Sequence, residues 1–252
     1  MTDLLPEFIK KNEAMTTVLV IHAKHLTERM RHMQQQLHDW PGDVVYIQDY
    51  DKGELTDEII QTYFKAGCEL DNKSGATSCA MKHLLSCKYI VDHQLEGALI
   101  LEDDIVLRPG FQKNFEKTLE EIRCNYADQP ILISYEDSSL QFIPRSRRVK
   151  GQWLYEAPHG RVRFNGALFI SQRAAKAIWN DVTTNKCDIA VDHYYMHLYG
   201  KELVKFLWCE PCLATQGSFS GTFVSSMGQI RSMEGLRWKL KYAYKRFIYW
   251  FR

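Results

Sequence analysis

The feature that most restricts the fold is a series of short apolar runs set between longer stretches of helical periodicity. Thr17-Val18-Leu19-Val20-Ile21, Val44-Val45-Tyr46-Ile47, Ala98-Leu99-Ile100-Leu101, Pro130-Ile131-Leu132-Ile133, Ala167-Leu168-Phe169-Ile170 and Leu203 to Leu207 read as strands. Each is too short for a helix and rich in the branched side chains of buried strands. Between them, Met30, Met33, Leu37 and Trp40 recur at helical spacing as far as Pro41-Gly42. Thr56 caps a second helix, with Ile59, Ile60, Tyr63 and Phe64 on one face, and Met81, Leu84, Leu85 and Tyr89 mark a third. Phe111, Phe115, Leu119 and Ile122 mark a fourth, Ser171 caps one over Gln172 to Trp179, and another covers Ala190 to Tyr199. Residues 65–77 and 136–164 read as loop and irregular chain. Strands and helices alternating in this way predict an α/β fold with a mostly parallel sheet. In such sheets ligands gather outside the carboxyl ends of the strands.

Among 252 residues, 45% hydrophobic and 25% charged, no apolar run approaches the length of a membrane-spanning helix. Met1 to Glu7 lacks the basic flank and apolar stretch of a secretion signal, so the expected location is cytoplasmic and the seven cysteines are expected as reduced thiols. Cys209-Glu210-Pro211-Cys212 has redox or zinc spacing but no second close pair to complete a zinc site. Net charge is only +1, unevenly placed: residues 228–252 carry seven basic residues against Glu234 alone. A mildly acidic body with a basic tail argues against general nucleic-acid binding and for a local anionic partner. The simplest organisation is one domain over residues 1–227 and a C-terminal extension over 228–252.

The segment that carries chemistry is Ala98-Leu99-Ile100-Leu101-Glu102-Asp103-Asp104, an apolar strand followed at once by three acids. Three carboxylates at the edge of a core repel one another, and burying them without a cation is costly. Alternation along a strand predicts that Glu102 and Asp104 point one way and Asp103 the other. Two carboxylates on one side suit Mn²⁺ or Mg²⁺ that also binds phosphate oxygens. A phosphatase with a nucleophilic Asp would place its acids after the first strand, and a phosphate-gripping glycine-rich loop is missing.

The stretch from Ser74, with Gly75, Ser78-Cys79 and His83, to the acidic triplet and Leu107 resembles glycosyltransferase family 25. This family includes lipopolysaccharide and lipooligosaccharide galactosyltransferases. Further pieces agree in order: Val18 to Ile21 with Glu28-Arg29, Gly166 to Ser171 with Ala174-Ala175, Asp192-His193-Tyr194-Tyr195, and finally Pro211, Gln216 and Ser220. His22-Ala23 stands where the family usually shows Asn-Leu, and Lys82-His83 where it shows Ser-His. The resemblance implies a GT-A-type, Rossmann-like fold, a UDP-sugar donor (most often UDP-galactose), a divalent cation and inversion at the anomeric carbon. The acceptor would be an oligosaccharide or lipid-linked glycan in lipopolysaccharide, lipooligosaccharide or capsule. A binding protein with the same fold and no turnover is the competing expectation.

On that resemblance, Asp104 with Glu102 would hold the metal. Asp103, His22, Arg29, Lys82, His83, Gln216 and Ser220 would contact the donor. An inverting transfer needs a base for the acceptor hydroxyl. Asp192 is the candidate, with Glu136 and Asp137 as alternatives. His193 is a further candidate for a metal or acceptor contact.

In the extension, Leu240, Ala243, Tyr244, Phe247, Ile248, Trp250 and Phe251 fall on one helical arc. Lys239, Lys241, Lys245, Arg246 and Arg252 fall on the other, with Trp238, Tyr242 and Tyr249 among them. A basic amphipathic helix of this kind suits the anionic inner face of the cytoplasmic membrane, and the other expectation is that the apolar arc packs on the domain.

Overall fold

The computed structural model describes residues 16–221, 223 and 233–251, the side chains of Ser220 and residues 233–236 excepted. The N-terminal segment read for a secretion signal lies outside the described residues. A seven-stranded sheet forms the centre, in the order β2-β1-β3-β7-β5-β8-β6. These strands are β1 (Thr17–Ile21), β2 (Val44–Ile47), β3 (Gly97–Glu102), β5 (Ile131–Ser134), β6 (Leu154–Glu156), β7 (Ala167–Ser171) and β8 (Lys205–Cys209). β1 pairs in parallel with β2 and β3, and β5 with β8, whereas β7 runs against both its neighbours and β6 against β8. The sheet is therefore mostly parallel, as the alternation of elements predicts. β4 (Ile105–Leu107) and β9 (Ala214–Gln216) form a separate antiparallel pair beside the carboxyl ends of β3 and β5.

Alternation of side chains divides the core in two. Leu19, Ile21, Ala98 and Ile100 pack with helices α2 (Asp57–Tyr63), α3 (Gly75–Asp92), α5 (Gln172–Asn185) and α6 (Val191–Gly200). Val18, Val20, Leu99 and Leu101 pack on the other face with α1 (Thr27–Gln36) and α4 (Phe111–Asn125). The caps are local: Ser74, Thr56 and Ser171 accept from the backbone N–H of Thr77, Ile59 and Ala174.

Several boundaries differ from the sequence reading. α3 begins inside the stretch read as loop, α5 runs past Trp179 to Asn185, and the last sheet strand starts at Lys205 rather than Leu203. The segment 136–164, read as irregular, contributes β6, a three-residue edge strand too short to show a period.

α7 (Gly217–Ser220) follows β9, and α8 (Met233–Phe251) lies along the domain. The docked face of α8 is the aromatic-polar one. Tyr249 is buried, forming edge-to-face pairs with Phe142 as Tyr242 does, Trp238 Nε1 donates to the Ser138 carbonyl at 3.3 Å, and Arg246 reaches Glu210 at 2.7 Å. Leu240, Tyr244, Phe247, Trp250 and Phe251 stay between 54% and 72% exposed. Trp238 and Arg246, two of the residues expected to meet a membrane, are thus engaged by the domain.

Candidate active site

The acids sit where β3 leaves the sheet, and strand geometry aims them. Glu102 shares parity with Ala98 and Ile100, so it turns to the α3 side. There its Oε1 accepts from His83 Nε2 at 3.2 Å and from Cys79 Sγ at 3.7 Å, while Oε2 accepts from Gln216 Nε2 at 3.1 Å. Asp103 turns to the α1 side, accepting from Arg29 Nη1 at 2.8 Å and hydrogen-bonding His22 Nδ1 at 2.9 Å. Burial opposes its ionisation, but these partners prevail and hold its carboxyl below the usual range.

Asp104 differs. It is buried, accepts a hydrogen bond from Ser218, and leaves Oδ1 without a partner among the described residues. Burial first, and the charge of Glu102 second, push its carboxyl up to about 6. Two close approaches shape the surroundings. A Cβ on Gly217 would lie 2.8 Å from the Asp104 carbonyl, and one on Gly166 would lie 2.8 Å from Gln216 Nε2. Only glycine lets α7 and the head of β7 close on the acids this tightly.

A cleft of about 630 Å³ opens at this point, lined by the carboxyl ends of β1 and β3, the loop after β2 and the first turn of α3. Ser74, Gly75 and Ala76 place the start of an 18-residue helix at the cleft wall, where unsatisfied N–H groups favour an anion. Lys82, almost fully buried, donates to the His22 carbonyl at 2.7 Å and pairs with Asp51. His22, Arg29, Lys82, Glu102, Asp103, Asp104 and Gln216 all line the cleft.

A profile of glycosyltransferase family 25, described as an LPS biosynthesis protein, matches residues 15–159, more than half of the chain and the part that holds the acids. The chain belongs to glycosyltransferase family 25. Among curated proteins, no match is found. Solved structures give distant likenesses. A glycosyltransferase involved in the glycosylation of the major capsid of PBCV-1 is 12% identical with TM-score 0.44, covering 89% of this chain and 98% of that one. Mouse xyloside xylosyltransferase 1, in its apo form, is 12% identical with TM-score 0.39, covering 75% and 70%. Both are too remote to carry a substrate or mechanism across.

The other anticipated residues of this family 25 glycosyltransferase fall outside the cleft lining. Glu136 is fully buried; burial and the nearby charge of Glu102 push its carboxyl well above the usual range. It accepts from Ser138 Oγ at 3.0 Å and Gly166 N at 3.2 Å. Asp137 is buried in an ion pair with Arg108. Asp192 is partly exposed in the first turn of α6, its Oδ1 accepting from His193 N at 3.0 Å, and His193 is exposed. The Ser220 side chain lies outside those described. Cys209 and Cys212 are buried free thiols. Conversely, Asp51, Ser218 and Phe219 line the cleft without having been singled out. Asp51 had a signal, a carboxylate just after a parallel strand; Ser218 had only its place in a Gly/Ser turn.

Proposed function

We propose that this family 25 chain is a metal-dependent, inverting UDP-sugar glycosyltransferase, with galactose the expected sugar. Its acceptor is a glycan, oligosaccharide or lipid-linked, of lipopolysaccharide, lipooligosaccharide or capsule. The observation that carries this reading is the buried, unpartnered oxygen of Asp104 beside Glu102 at a cleft wall. A carboxylate desolvated next to another suits a hard divalent cation, Mn²⁺ or Mg²⁺. Asp104, with Glu102 beside it, would hold that ion, which supplies neutralisation of the departing diphosphate.

The remaining roles belong to the chain itself. The first turn of α3 offers backbone N–H groups to phosphate oxygens. Asp103 fixes Arg29 and His22 in the cleft wall, and Lys82 fixes the loop of Asp51. Gln216 bonds Glu102 and, with α7, covers one side, limiting water at the reacting centre. Asp192 remains the base in this reading, since Glu136 is fully buried, where ionisation is disfavoured, and Asp137 is paired with Arg108.

Two features support an anionic membrane surface as partner: the exposed arc of Leu240, Tyr244, Phe247, Trp250 and Phe251, and the exposed Lys241 and Lys245 on the same helix. No described helix is long and apolar enough to cross a membrane.

The deciding experiment is UDP release from a panel of UDP-sugars with lipooligosaccharide acceptor, with and without Mn²⁺. Metal-dependent release with UDP-galactose is expected, falling to background in Asp104→Ala. An unchanged rate in that variant removes Asp104 from the site. Binding of UDP without release under any condition favours the non-catalytic binding protein.

A further inference from the structure

The cluster on the α3 side of Glu102 has a composition that holding a hard cation does not require. We propose that Cys79, His83 and Glu102 form a second cation site, selective for zinc-class ions and distinct from the one at Asp104. It shares Glu102 with the proposed function but stands whether or not the chain transfers a sugar.

The argument begins with spacing. Cys79 and His83 are four residues apart on α3, hence on one helix face. The parity of β3 turns Glu102 toward that face, so three donors of three kinds converge: sulfur, imidazole nitrogen and carboxylate oxygen. All three donor atoms lie within 4.8 Å of one another, with 3.2 Å from His83 Nε2 to Glu102 Oε1 and 3.7 Å from Cys79 Sγ to the same oxygen. Around a tetrahedral zinc ion, bonds of about 2.0–2.3 Å separate neighbouring ligands by about 3.2–3.6 Å. Two of the three edges already match that figure within a few tenths of an ångström.

Donor chemistry gives the selectivity. A thiolate and an imidazole favour zinc-class ions, whereas Mn²⁺ and Mg²⁺ prefer carboxylate, carbonyl and water oxygens. His83 is fully buried and its Nδ1 is unpartnered among the described residues, so Nε2 directs the ring's hydrogen bonding at this cluster alone. Cys79 and Glu102 line the cleft, giving an ion and a fourth ligand, water, a route from solvent. On binding, the thiol proton passes to solvent as the sulfur–metal bond forms, and the ring proton of His83 shifts from Nε2 to Nδ1 as the nitrogen–metal bond forms. The ion would tie α3 to the end of β3 and fix Glu102, and through its Oε2 the side chain of Gln216. Without an ion, the same three groups form a hydrogen-bonded cluster around Glu102 Oε1, and the test separates the two states.

The test is titration of the full-length protein with Co²⁺, followed by absorption. The expected result is one equivalent bound with the visible bands of a tetrahedral site and a thiolate-to-cobalt charge-transfer band, both lost on adding Zn²⁺. Cys79→Ser abolishes the charge-transfer band, Cys209→Ser/Cys212→Ser retains it, and Asp104→Ala retains it while losing UDP release. The unmodified chain provides a second readout. One equivalent of Zn²⁺, but not Mn²⁺, should slow iodoacetamide labelling of Cys79 by about tenfold or more, read by mass spectrometry. Absence of a charge-transfer band, its persistence in Cys79→Ser, or equal labelling with and without Zn²⁺ would each overturn the site. None of these bears on whether Asp104 serves the donor.

Discussion

Arg29 and Asp103, 74 positions apart, meet at 2.8 Å on the α1 side of β3, and His22 completes the cluster at 2.9 Å from the same carboxylate. The middle acid of the triplet thus anchors the first helix to the third strand. Its carboxyl is held below the ordinary value of 3.8 in the folded chain. The stabilisation is therefore fully present above that ordinary value and is lost as pH falls through the lower, folded one. Asp103→Asn removes the buried charge that faces Arg29 and is expected to cost about 3 kcal/mol at neutral pH. The difference from the unmodified chain should shrink below about pH 4, as urea denaturation at several pH values would show.

Asp104 has the opposite sign. Its folded value of about 6 lies above the ordinary 3.8, so without metal its contribution to stability falls as pH rises between the two and stays low above. In chelator, Asp104→Asn is expected to raise stability by about 2 kcal/mol at pH 8 and to leave it unchanged near pH 3. Thermal denaturation with and without Mn²⁺ checks this, and a destabilised variant in chelator at pH 8 would count against the site.

Gly166→Ala places a methyl group 2.6 Å from Ile105 Cδ1 and 2.8 Å from Gln216 Nε2. The expected loss is about 1–3 kcal/mol of stability, from overpacking. Donor KM should rise with it as Gln216 is pushed from Glu102, whereas Gln216→Ala should change KM with a smaller loss of stability. Denaturant midpoints and steady-state kinetics on both variants separate packing from positioning.

On α8, the exposed and docked faces can be tested apart. Leu240→Glu and Phe247→Glu alter residues 65% and 62% exposed, so melting should be unchanged while sedimentation with phosphatidylglycerol vesicles is lost. Arg246→Ala leaves the buried Glu210 with one partner fewer and should lower melting without abolishing sedimentation. Vesicle binding that survives both glutamates would refute the membrane surface.

Strand positions and the acids were legible in the sequence because four-residue apolar runs and an abrupt change to three carboxylates are local signals. Strand direction was not: Ala167 to Ile170 is as apolar as the parallel strands, and its reversal depends on a connection without helical period. Alternation correctly separates Glu102 from Asp103. Asp104 lies past the last paired residue of β3, where the turn and Ser218 hold it. The burial of Glu136 and Asp137 was equally hidden, because acids just after a strand look the same whether they face a cleft or a guanidinium. For the tail, amphipathicity marked two faces but not which one docks. The docked one is the face whose Trp and Arg tips find carbonyl and carboxylate partners and whose Tyr hydroxyls accept from Arg108 and Arg161.

That docking ties the far end of the chain to the cleft. Trp238 donates to the carbonyl of Ser138, whose hydroxyl receives the N–H of Gln216 at 2.8 Å, and Gln216 in turn holds Glu102. Tugging at the C-terminal helix is thus felt, three links later, by the carboxylates themselves.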